Sequence, residues 1–293
     1  AHKYIGLKPV GHYNFKRHFK PVAIFFAMSC ATTIYTNLDS VMLGFMATNA
    51  DVGYYGAAVK IKNILVSIVT SLGTVLLPRA AYYIEHQQMD EFQKLSRKAL
   101  NFVFIIASPM MIYFILFAKQ GIFFLSGDAF APAVVPMQLI MPTLLLIGIT
   151  NILGIQILVP LGYEKAVLVS EIVGAVIDLV VNALLIPVYQ SSGAAIGTLL
   201  AEFAVMVVQC IALKNEIKTA FSDIKYLKII LAIIIASLAS FWVTALNLHV
   251  FITLVISAIL FFGVYGLVLI IMKEKLVIEI LTQIFSKLKH KSA

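Results

Sequence analysis

Eight stretches of this chain, near 21–46, 63–83, 99–118, 133–158, 166–188, 193–213, 227–247 and 250–272, stay apolar over the length needed to cross about 30 Å of hydrocarbon. No other feature narrows the fold so far. Lipid offers the backbone no hydrogen-bonding partner, so a segment of this kind must satisfy its own N–H and C=O groups, and a helix does so within one run. The sequence therefore predicts an all-α polytopic membrane protein with eight transmembrane helices. The balance of residues agrees. The chain is 61% hydrophobic and 12% charged, against about 45–50% and about 25% in a soluble domain. Cys30 and Cys210 fall inside the apolar stretches, with no metal-like neighbours, and read as small apolar fillers.

The cations orient the helices. With the first residues inside, the segments 1–20, 79–98, 159–165, 214–228 and 273–293 carry all but three of the 22 Lys and Arg. Only Lys60, Lys62 and Lys119 fall on the opposite side. This is a strong positive-inside bias, with both termini cytoplasmic, and it accounts for the net charge of +8 without nucleic acid. Segment 85–98 mixes signs and reads as a solvated loop with a helical turn or two. In 273–291, Leu276, Val277, Ile280, Leu281, Ile284, Phe285 and Leu288 recur at helical spacing among lysines, which predicts an amphipathic helix on the inner membrane surface.

Polar groups inside the apolar stretches are the candidates for function, since each costs roughly 2.5–3.5 kcal/mol at the centre of a membrane helix when charged. Asp39 lies late in the first stretch, near its outer end. Lys60 and Lys62 open the second on the same side, so Asp39 and Lys60 are expected to pair. In the fifth, Glu171 and Asp178 are seven residues apart and share a helix face that Asn182 continues. This predicts a water-accessible stripe, with Glu171 near the cytoplasmic end and Asp178 near mid-depth. Glu202 sits near mid-depth of the sixth. Gly193 and Gly197, four apart, predict close contact of the fifth and sixth helices after a break around Pro187. Pro109, Pro136, Pro142 and Pro160 predict kinks.

Catalytic signatures are missing from the sequence. The six histidines are scattered and none forms a metal pair four residues apart. No nucleophile elbow, phosphate loop or dinucleotide fingerprint occurs. The chain is expected to have no catalytic residues, no metal site and no cofactor beyond a coupling H⁺ or Na⁺.

At these residues a resemblance appears. N-A-L-L-I-P-V-Y-Q-S-S-G-A-A-I-G-T-L-L-A-E at 182–202 resembles a hairpin of the Wzx-type flippases, in the multidrug/oligosaccharidyl-lipid/polysaccharide exporter superfamily. Leu38–Gly44 with Val52–Lys60, Leu76–Arg79 and Ile157–Gly162 are similar to further stretches of that family, in the same order. The resemblance implies one six-helix bundle of a two-bundle transporter plus two C-terminal helices. Residues 1–20 would be a basic cytoplasmic linker, 21–214 the second bundle, 215–272 two additional spans and 273–293 a basic amphipathic tail. A first, N-terminal bundle would be the missing partner, as the start at Ala1 also suggests. The implied activity is translocation of a polyprenyl-pyrophosphate-linked oligosaccharide across the cytoplasmic membrane by alternating access, for surface polysaccharide synthesis. Membrane lipids and polysaccharide assembly proteins would be its other partners.

The acidic groups depart from what a pyrophosphate needs, and suit sugar hydroxyls, protons or Na⁺ instead. Two other readings stay open: a cation-coupled multidrug exporter of the same superfamily, and a membrane-embedded scaffold or sugar polymerase.

Overall fold

The computed structural model describes residues 15–214, 221–222, 224–246 and 248–291. Among them the chain is mostly helical, with short turns between helices, and forms no strand. The helices are α1 (Phe15–Met46), α2 (Asn49–Glu85), α3 (Met89–Leu116), α4 (Ala118–Ser126), α5 (Val134–Ile140), α6 (Thr143–Thr150), α7 (Glu164–Leu213), α8 (Tyr226–Phe241), α9 (Val250–Ile271) and α10 (Lys275–Lys291). Most of the expected linker, residues 1–14, lies outside the described residues.

Among the described residues, five helical segments are long and apolar enough to cross a membrane: Asn49–Glu85, Met89–Leu116, Glu164–Leu213, Tyr226–Leu246 and Val250–Ile271. A sixth is added if Asp128–Ile140 and Thr143–Leu158, bent by 42° at their junction, form one broken span. The break falls at Met141-Pro142, where proline cannot donate to the preceding turn. Beyond it the backbone widens into a π-helical turn, Asn151–Leu158. The first expected span lies within α1, which is not among these helices. Thr32, Thr33, Thr36, Asn37, Asp39 and Ser40 dilute its hydropathy, and it lies along α7.

Two boundaries differ from the sequence reading in ways that matter for the site. Helix α2 begins at Asn49 rather than near residue 63, because Thr48 caps it. The Thr48 hydroxyl accepts from the Asp51 N–H, and the Asp51 carboxylate accepts from the Thr48 N–H, a reciprocal capping box. Lys60 and Lys62 are thus inside a helix rather than at its start. Helix α3 likewise begins at Met89, so most of the expected 85–98 loop is helix.

Helix α7 reverses direction without a loop. Gln190, with φ 49° and ψ −127°, is its one non-helical residue, and the chain folds back there into arms 164–189 and 191–213. The break comes three residues after Pro187. Gln209 Nε2 donates to Ser170 Oγ at 3.2 Å across the hairpin. A Cβ on Gly193 would stand 2.5 Å from the Leu185 carbonyl oxygen, so only glycine permits this approach of the arms.

Helices α8 and α9 pack on each other and dock against α3 and α4. Two tyrosines fasten them. Tyr113 Oη donates to the Leu254 carbonyl at 2.9 Å, and Tyr265 Oη donates to the Ile105 carbonyl at 2.8 Å. Helix α10 starts where the Glu274 carboxylate accepts from the backbone N–H groups of Leu276 and Val277, at 2.7 and 3.0 Å.

Candidate functional site

Four chain segments that are distant in sequence bring polar side chains to one point between α1, α2 and the two arms of α7. Asp39 on α1 is 2% exposed. It accepts from Asn182 Nδ2 at 2.6 Å, from Thr198 Oγ1 at 2.9 Å, and from Tyr55 Oη. Tyr55 and Thr198 also lie 2.8 Å apart, oxygen to oxygen. Asn182 comes from the first arm of α7, Thr198 from the second, and Tyr55 from α2. Asp39 therefore ties all three neighbours together.

Asp178 sits beside Asp39, one helical turn before Asn182, and is fully buried. Neither of its carboxyl oxygens finds a hydrogen-bond donor of acceptable geometry, and neither does Asn182 Oδ1. The point thus has more oxygen acceptors than donors. A buried acceptor without a partner costs about 1–3 kcal/mol, more if charged. The donor set is all oxygen, with two carboxyls, one amide and the hydroxyls of Tyr55 and Thr198. That set suits a proton or a hard cation rather than a thiolate- or imidazole-seeking metal. Among the described residues no group of three or more His, Cys, Asp and Glu could hold a metal ion.

A cavity of about 310 Å³ adjoins this point. Lys62, Asn63, Asn151, Glu171, Glu202 and Gln209 supply much of its polar lining. Lys62 is 7% exposed and its ammonium lies within electrostatic reach of Glu202, Asp39 and Asp178. Glu171 accepts from Thr32 Oγ1 at 3.2 Å. The carbonyl oxygens of Asn151 and Gln209, and that of nearby Gln156 on the π-helical turn, are buried without donors. Amide groups in that state can receive the hydroxyls of a polar guest or of water.

Set against the sequence, the structure gathers six of the seven candidates. Asp39, Asp178 and Asn182 form the oxygen cluster, while Lys62, Glu171 and Glu202 line the cavity. Lys60 is exposed and apart from them, so the expected Asp39–Lys60 pair is replaced by Asp39 facing Lys62. The expected wet stripe also divides. Glu171 reaches the cavity, but Asp178 and Asn182 are buried away from it. Tyr55, Thr198, Asn151, Gln156 and Gln209 were not among the sequence candidates. Thr198 could have been reached from Glu202, four residues on and therefore on the same face. Gly197 has a second role besides packing: its missing side chain leaves the space that Asn182 and Asp178 occupy.

Residues 6–135 match a family model described as "Polysaccharide biosynthesis protein". The chain is 23% identical over 213 residues to the "Putative O-antigen transporter" of Escherichia coli (strain K12), a match covering 73% of this chain and 51% of that protein. Among solved structures it resembles the lipid II flippase MurJ in an inward closed conformation, with a TM-score of 0.68 at 14% identity over 91% of this chain and 57% of that one. The chain is thus similar over residues 6–135 to a polysaccharide-biosynthesis family, and its fold is similar to that of a flippase.

An uncharacterized membrane protein of Methanocaldococcus jannaschii is 26% identical over 78% of the chain and 45% of its own length. A multidrug-resistance transporter of the MATE family in an outward-facing conformation shares the fold, with a TM-score of 0.56 at 14% identity over 83% of this chain and 62% of that one. The chain spans about half the length of the curated relatives it matches. The residues matched by the family model include Asp39, Tyr55 and Lys62, and α7 adds Asp178, Asn182, Thr198 and Glu202 from beyond them. The chain is a multi-pass membrane protein with a transporter fold.

Proposed function

We propose that this chain is the C-terminal half of a flippase that moves a polyprenyl-pyrophosphate-linked oligosaccharide across the cytoplasmic membrane by alternating access. In this reading eight helices span the bilayer: α1, α2, α3, the broken α5–α6 unit, the two arms of α7, α8 and α9. Both ends of the chain face the cytoplasm, where α10 lies on the membrane surface. A second, N-terminal bundle completes the cavity and brings most of the cations that grip the pyrophosphate. The protein acts by transport, not by bond making or breaking.

The observation that carries this reading is the buried oxygen surplus at Asp39, Asp178 and Asn182 in a flippase-like fold. A proton or Na⁺ arriving there is held by α1 and both arms of α7 at once. Its binding therefore favours the arrangement in which those helices are together, and its release favours the one in which they part. A ligand shifts a conformational equilibrium by its differential affinity for the two states, and this site provides a means to that difference. The amide-lined cavity beside it suits sugar hydroxyls. MATE-like architecture and the acidic residues also support a second reading, export of cationic drugs driven by the same ion.

The test uses the full-length protein in proteoliposomes, with a labelled lipid-linked oligosaccharide and an imposed proton or Na⁺ gradient. Asp178→Asn is expected to lower gradient-driven translocation at least about tenfold, the effect of some 1.4 kcal/mol on the coupled state, while the protein stays in the membrane. Unchanged translocation would remove the coupling role. Transport of a cationic dye in place of the lipid-linked sugar would select the second reading.

A further inference from the structure

A second cavity, of about 290 Å³, opens at the basic end of the helix bundle, far in sequence from the acidic cluster. Its wall is built from the start of α3, the start of α8, the elbow between α9 and α10, and the first turn of α10. Six cations face it, Arg97, Lys98, Lys225, Lys228, Lys273 and Lys275, against Glu274 and Glu279. Some of this charge is committed. Lys98 Nζ holds Glu279 at 2.8 and 3.0 Å. Lys228 Nζ donates to the carbonyls of Met272 and Lys273, at 2.6 and 3.2 Å, and so braces the elbow where Lys273 takes φ 50°. Glu274 is buried, spends one oxygen on the α10 N–H groups and accepts from Asn101 with the other. Lys225, Lys273 and Lys275 remain exposed, with no carboxylate partner among the described residues.

The cavity's surroundings are apolar. Tyr226 and Leu227 on α8, and Ile278 and Ile280 on α10, stand exposed next to the lysines. A guest that satisfies both features carries a phosphate and acyl chains.

We propose that this cavity is a binding site for the headgroup of an anionic phospholipid. The phosphate meets Lys225, Lys273 and Lys275, and the chains cover the exposed apolar residues of α8 and α10. Basic pockets between membrane helices recognise lipid phosphates in this way. A lipid bound here bridges the α8–α9 pair, α10 and the start of α3, and so fixes α10 relative to the bundle. The site is independent of what the protein transports, so neither idea stands or falls with the other.

The test is native mass spectrometry of the full-length protein in neutral detergent, titrated with dioleoylphosphatidylglycerol, with dioleoylphosphatidylcholine, or with phosphatidylglycerol in the presence of millimolar sodium phosphate. Phosphatidylglycerol should bind preferentially, and sodium phosphate should not displace it. Replacing Lys225, Lys273 and Lys275 together by Gln should weaken that binding by roughly 100-fold, at about fivefold per cation. Replacing the same three by Arg should preserve it, which separates loss of charge from loss of fold. Lys94→Gln, a cation at the same end that is held by Glu91 outside the cavity, should change nothing. Equal binding of the two lipids, or equal loss in the Gln and Arg variants, would overturn the proposal. Displacement by sodium phosphate would overturn the lipid assignment.

Discussion

Gly197→Ala is the substitution whose effect can be worked out furthest. A Cβ at position 197 would stand 2.0 Å from Asn182 Oδ1, 2.8 Å from Asn182 Cγ and 3.3 Å from Asp178 Oδ1. The first two separations are closer than van der Waals contact permits, so the Asn182 amide must move. That amide donates to Asp39 Oδ1 at 2.6 Å, and moving it breaks the bond. Losing a buried hydrogen bond onto a carboxyl group costs roughly 1–3 kcal/mol. Forcing a methyl into a filled site costs roughly 1–3 kcal/mol. Both costs arise from one displacement and overlap, so the expected total is about 2–4 kcal/mol. Denaturant unfolding of the full-length protein in detergent, read by helical circular dichroism, measures it. The decisive comparison is a double-mutant cycle. In an Asn182→Ala background the methyl enters vacated space, and Gly197→Ala should then cost less than about 1 kcal/mol. An equal cost in both backgrounds would refute the account, because the clash would then not be with Asn182.

Gly193→Ala should be worse than Gly197→Ala, since its methyl would meet backbone at Leu185 rather than a side chain, whereas Gly44→Ala, with nothing within 4 Å, should be near neutral in the same unfolding assay. Gln190→Gly should stabilise the protein, because a non-glycine residue at φ 49° stores of order 1–3 kcal/mol that glycine releases in part; a lower unfolding midpoint would contradict the strain. Tyr265→Phe removes the bond to the Ile105 carbonyl and should cost about 1 kcal/mol. Proteolysis at the α8–α9 pair should rise with it if that bond helps to dock the pair.

Much of the site was legible because a carboxylate in an apolar helix is conspicuous. Asp39, Asp178 and Asn182 stood out on composition alone, and the four-residue step from Asp178 to Asn182 put them on one face. Tyr55 and Thr198 did not stand out. Tyrosine is common at membrane boundaries, and a threonine hydroxyl can return to its own helix, as Thr198 does toward the Ala194 carbonyl at 3.1 Å. Only tertiary contact gives these two a further role. The exchange of Lys60 for Lys62 has a simpler cause. Hydropathy began the second helix near residue 63, whereas the Thr48 cap begins it at 49. Once both lysines are helical, two residues of separation put them about 200° apart around the axis, on opposite faces.

The fold was readable to the extent that lipid dictates it. The long apolar runs became helices, and the amphipathic pattern after 273 became α10. The details that hydropathy does not encode were the ones that moved. The chain around Pro142 bends and then widens into a π-helical turn, and the break expected between residues 188 and 193 narrows to one non-helical residue, Gln190. Both depend on how backbone groups are satisfied by neighbours, which no single segment records.

The one-residue reversal at Gln190 also limits how this protein can vary. An ordinary interhelical loop absorbs an inserted or deleted residue by changing shape, and the helices beyond it keep their facing. Here there is no loop to absorb it. One added residue after Gln190 would turn the second arm by about 100°. Thr198, Glu202 and Gln209 would leave their neighbours together. The site can therefore be retuned side chain by side chain, but length changes at this turn are closed to it, and descendants of the chain should keep the two arms in fixed register while their side chains drift.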